Sequence, residues 1–65
     1  MNIEEQLLNL HVRFLELQDD ESNYALRQQS IILNRIEEII KKNKISQKEI
    51  FRIIEEAEIK LQKVV

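Results

Sequence analysis

Few side chains in this sequence could do chemistry: Ser22, Ser30 and Ser46, the single His11, and the glutamate pairs Glu4-Glu5, Glu37-Glu38 and Glu55-Glu56. Nucleophilic catalysis needs a nucleophile beside a base. No spacing ties any of these serines to His11 and an aspartate, and Ser46 and Ser22 sit where a helix cap and a turn would use them. Neighbouring residues on a helix point about 100° apart, so the glutamate pairs do not share a site and belong to solvated faces. Metal chemistry fares no better. There is no cysteine, no Glu-x-x-His pair and no His-Glu-x-x-His. Without glycine there is no phosphate-cradling loop. The expectation is a chain that is not an enzyme, with no cofactor, no metal and no small-molecule substrate. His11, beside Leu10, is expected at the boundary of a packed face, with one nitrogen in water or at the rim of a contact surface.

Three helices are expected to carry these residues, all in one domain spanning 1–65. In the first, about 2–18, Ile3, Leu7, Leu10, Phe14 and Leu17 repeat at 4-3-4-3 spacing, the stripe of a packed helix. Asp19-Asp20-Glu21-Ser22-Asn23 has no apolar residue and several N-cap formers, which predicts a break. In the second, about 22–43, Ile32, Leu33, Ile36, Ile39 and Ile40 form a broad face that Ala25 and Leu26 extend. Lys41 and Lys42 oppose the negative helix end, and Asn43 is suited to the left-handed residue that closes it. The third, about 47–64, opens on Ser46-Gln47-Lys48-Glu49, a capping box flanked by Ile45 and Ile50 as a hydrophobic staple. Its stripe is Ile50, Ile54, Ala57, Leu61 and Val64. The short link predicts a helical hairpin of helices 2 and 3 plus the N-terminal helix. The fold class is all-α, closing as a three-helix bundle or as a dimeric helical bundle.

Ile45-Ser46-Gln47-Lys48-Glu49-Ile50 resembles the opening of the helix-turn-helix of phage-repressor-type DNA-binding domains. The resemblance covers about ten residues and implies a turn and a recognition helix to follow. Here Ile53-Ile54-Glu55-Glu56-Ala57-Glu58 continues helical instead, so a capped ordinary helix explains the same residues.

Composition narrows the role. With 65 residues and no disulfide, a lone core is marginal, and oligomerisation or a larger partner is the remaining support. Formal net charge is −2, which gives no overall pull toward nucleic acid. Charge is uneven, however: Asp19-Asp20-Glu21 is acidic, while Lys41, Lys42, Lys44, Lys48 and Arg52 surround the second turn. The acidic N-terminus is unlike a signal peptide. Apolar runs no longer than three residues cannot span a membrane, and a cytoplasmic location is expected.

The first helix carries a second apolar strip. Leu8, Val12 and Leu15 lie nearly opposite its main stripe, so the helix is either sandwiched or sticky on one side. Leu8, Val12 and Leu15, with His11 at the rim and Tyr24 and Phe51 as aromatic anchors, are the candidate partner-binding residues. The expected function is a small protein-interaction module that binds and modulates a larger protein, as an adaptor, inhibitor, antirepressor or chaperone would, and that also self-associates. The alternatives are a dimeric nucleic-acid-associated regulator using the basic turn, and a structural subunit of a helical assembly.

Overall fold

Asn2 starts the first helix by accepting from the Glu5 N–H at 2.7 Å through its side-chain oxygen. In the computed structural model, which describes residues 2–62, α1 spans Ile3–Leu17, α2 Asn23–Asn43 and α3 Gln47–Gln62. The described residues contain no strand. The predicted break is present: Ser22 caps α2 by accepting from the Ala25 N–H at 3.1 Å, and the Asp20 carboxylate accepts from the Ser22 N–H at 2.9 Å.

The second turn differs in detail from its expected chemistry. Asn43 remains helical and donates its side-chain amide to the Ile39 carbonyl at 2.9 Å. Lys44 takes the left-handed conformation instead, at φ 51° and ψ 48°. The Ile45 N–H then donates back to the Ile40 carbonyl at 3.2 Å, which ends the helix as a Schellman motif does. Only half of the capping box is made. The Ser46 hydroxyl accepts from the Glu49 N–H at 3.3 Å, but the Glu49 carboxylate turns to Arg52 at 3.4 Å. α3 runs without interruption from Gln47 to Gln62, so the helix-turn-helix that its opening resembles is not formed.

The three helices make a bundle in which α1 is the middle member. It packs against both α2 and α3. The expected hairpin of α2 and α3 holds as a short connection only, because the two helices do not pack together along their lengths. α2 runs antiparallel to α1, with Gln6 and Leu10 beside Arg35 and Ile39. α3 runs in the same sense as α1, with Glu4 joined to Arg52 and Leu8 beside Glu56 and Ile59.

This arrangement redistributes the expected stripes. Leu7 is fully buried and Leu17 nearly so, while Leu10 and Phe14 are partly buried and Ile3 is exposed. On α2 the buried residues are Ala25, Ile32 and Ile36. Leu33 and Leu26, expected in the core, are exposed at 45% and 56%. On α3 the buried residues are Ile53 and Ala57; Ile53 was outside the expected stripe, and Ile50, Ile54 and Leu61 are only half-buried. Val64 lies outside the described residues. The cause is common to both helices: each has one neighbour, α1, so each buries a narrower stripe than its apolar width.

Candidate protein-interaction surface

α1 meets its two neighbours on well-separated sides. Leu10 borders α2 and Leu8 borders α3. At about 100° per residue these two positions point some 160° apart. Leu7, His11 and Phe14 fall on the arc between them. Leu7 is completely buried in a core cluster with Ile32 and Ile36 of α2 and Ile53 of α3.

The edges of each outer helix can be assigned in the same way. On α2, Arg35 and Ile39 line a cleft with Leu10 at the outer edge of the buried stripe. The other edge, turned toward the gap between α2 and α3, carries Leu26, Leu33 and Ile40 at seven-residue spacing. On α3, Glu56, Ile59 and Lys60 meet Leu8 at the outer edge. The edge toward the gap carries Ile50, Ile54 and Leu61, with Phe51 at the lip and 58% exposed. Two apolar rows thus flank the groove left where α2 and α3 do not pack on each other, with the fully covered Leu7 in the core below. On α2 exposure rises away from the connecting turn: Ile40 is half-buried, Leu33 45% exposed and Leu26 56% exposed. A seven-residue row drifts about 20° per heptad round a straight helix, which carries Leu26 furthest from the buried stripe.

Leu8, Val12 and Leu15 are half-buried on the α1 side that takes α3, and Leu8 packs against the core. Of this strip Leu8 thus serves within the chain, while Val12 and Leu15 keep part of their surface in solvent. His11 is half-buried beside the gap, and its Nδ1–H donates to the Leu7 carbonyl at 2.7 Å. That bond fixes the tautomer of the neutral ring and leaves Nε2 as an acceptor. Tyr24 is 62% exposed and lies near Ile31 on the side of α2 away from the groove. Of the candidate residues, then, only His11 and Phe51 border the groove. The groove rows were read from sequence as core. Their signal was width: apolar positions on α2 and α3 cover more of the wheel than one neighbour can bury.

The basic turn is exposed at Lys41, Lys42, Lys44, Lys48 and Arg52. Arg52 is committed to Glu4 at 3.0 Å and Glu49 at 3.4 Å, so acidic partners interrupt the patch. Asp20 is held below the ordinary carboxylate range, first by the backbone hydrogen bond from Ser22 and then by its hydroxyl. Among the described residues no three His, Asp or Glu side chains are grouped to hold a metal ion. No helix of the described residues is long and apolar enough to cross a membrane. Comparison with protein-family models, with curated proteins and with solved structures finds no match to this chain.

Proposed function

We propose that this chain is a small, non-catalytic protein-interaction module that self-associates and that binds and modulates a larger protein, with the apolar edges that α2 and α3 turn to the gap between them as its working surface. One observation carries the reading: α2 and α3 do not pack on each other, and the edges they turn to the gap are apolar. Groove burial of a partner helix is a recurrent mode of recognition, with anchors one or two turns apart. The spacing of Leu26, Leu33 and Ile40 suits such a ladder. The nucleic-acid alternative draws less support, because Arg52 is paired and Glu49 lies inside the basic turn.

The test is comparative capture. Wild type, Leu33→Asp and an outer-face control, Arg13→Ala, are immobilised after circular dichroism has verified equal helicity. The proposal expects a partner held by wild type and by the control, and weakened by roughly 100-fold by Leu33→Asp, as burying an unpaired charge implies. A partner held equally by all three would place its binding elsewhere and defeat the reading.

A further inference from the structure

We infer that a second copy of this chain covers the groove, with the two α2 helices antiparallel along Leu26, Leu33 and Ile40. The inference rests on the reading above that these apolar edges are the working surface, and it assigns the α2 edge to self-pairing, so that a larger protein would meet the pair. Three observations carry it.

The first is area. The accessible surface is 5283 Å² for a mass of 7.8 kDa. A folded monomer of that mass exposes about 4,400 Å². The difference, about 900 Å² counted over the whole chain, is surplus surface on the scale that pairing covers, roughly 800 Å² per partner.

The second is charge. α2 is preceded by Asp19, Asp20 and Glu21, and its other end carries Lys41 and Lys44, all of them exposed, while Lys42 lies on the far edge in the cleft with Gln6, Arg35 and Glu38. A parallel pair would set like charges together at both ends. An antiparallel pair sets each acidic end on the partner's basic end, twice over. The midpoint of the charged ends falls at about position 32, and the apolar row is centred on Leu33. One two-fold axis therefore satisfies both patterns, as an isologous interface requires.

The third is support. The chain has no cysteine, and its buried core is confined to a few residues around Leu7. Chains of this size commonly obtain further burial by oligomerisation.

The test uses the full chain and the absence of native cysteine. In the antiparallel pair residue 33 meets its own copy, while the two residues at position 26 lie about 21 Å apart. Under mild oxidation Leu33→Cys should form a disulfide dimer and Leu26→Cys should not. In sedimentation equilibrium wild type should be a dimer, and Leu33→Glu should weaken it by about 100-fold. Should Leu33→Glu lose helicity, surface charge keeps the question open to test. Lys41→Glu/Lys44→Glu and Asp19→Lys/Glu21→Lys should each self-associate about ten-fold more weakly, and mixing the two should restore pairing.

A monomer across the concentration range overturns the inference. So does efficient cross-linking of Leu26→Cys, which means parallel pairing. A monomer that still loses a foreign partner on Leu33→Asp substitution overturns self-pairing alone and leaves the groove reading standing.

Discussion

Lys44 shows how one residue can decide where a helix ends. Its left-handed backbone places a Cβ where the following carbonyl crowds it, a cost of roughly 1 kcal/mol that glycine avoids. The chain contains no glycine, so the turn is made at that cost. Lys44→Gly is expected to stabilise the fold by about 0.5–1 kcal/mol, read as a higher urea midpoint at unchanged slope. A lower midpoint would mean that the lysine side chain contributes more than its backbone costs. Leu7 is the opposite case, a residue whose value is all in its surroundings. It is the largest fully buried side chain and shares the core cluster with residues of both α2 and α3. Leu7→Ala should cost about 3 kcal/mol, a large share of the stability of so small a domain. Equilibrium denaturation measures it, and a cost under about 1 kcal/mol would contradict the packing described.

At the scale of elements, the link between α1 and α2 is a short polar segment held by its own side chains. The Asp20 carboxylate accepts from the Ser22 N–H, and Ser22 in turn caps α2. The Asp20 pKa is lowered from its ordinary 3.8 by these hydrogen bonds. The sign follows from linkage: the folded state binds this proton more weakly than the unfolded chain. Its contribution is therefore full above pH 3.8 and lost as pH falls through the lower folded value. Asp20→Asn keeps a side-chain oxygen for the turn but cannot titrate. An acid titration followed by circular dichroism should show wild type losing this increment of stability below pH 3.8 and the variant lacking it. Superimposable curves would mean that the hydrogen bond contributes nothing to stability.

At the scale of the whole molecule, α1 is the only element among the described residues through which α2 and α3 are coupled along their lengths. The groove is the direct outcome, since a bundle whose outer helices touched would have closed it. If a second copy fills it, stability depends on protein concentration by mass action. The midpoint of thermal unfolding of wild type should rise with concentration, and that of Leu33→Glu should not. A concentration-independent midpoint in wild type would show that the bundle is stable by itself.

What the sequence determined was local. Helix type follows from the apolar spacing, and the break at 19–22 follows from a run of cap-forming polar residues. Ser46 and Ile45 mark the second turn from the residues on either side of it. Each of these depends on contacts within a few positions of the chain, which periodicity and capping chemistry report directly. The displaced end of α2 shows how far this goes: Asn43 and Lys44 differ by one position, and Asn43 stays helical with its side chain on the Ile39 carbonyl. The rotation of each apolar face was decided by the tertiary structure alone. Leu33 and Ile53 are both apolar residues on helices with broad faces, yet one is 45% exposed and the other 2%. The wheel gives the direction of a side chain but not the direction from which a neighbour arrives. Leu8 and Leu10 likewise both suit a core, and only the approach of α3 on one side and α2 on the other assigns them. Burial belongs to pairs of elements, so which apolar face remained uncovered was set by where α2 and α3 each dock on α1, and that docking is written in no single stretch of the chain.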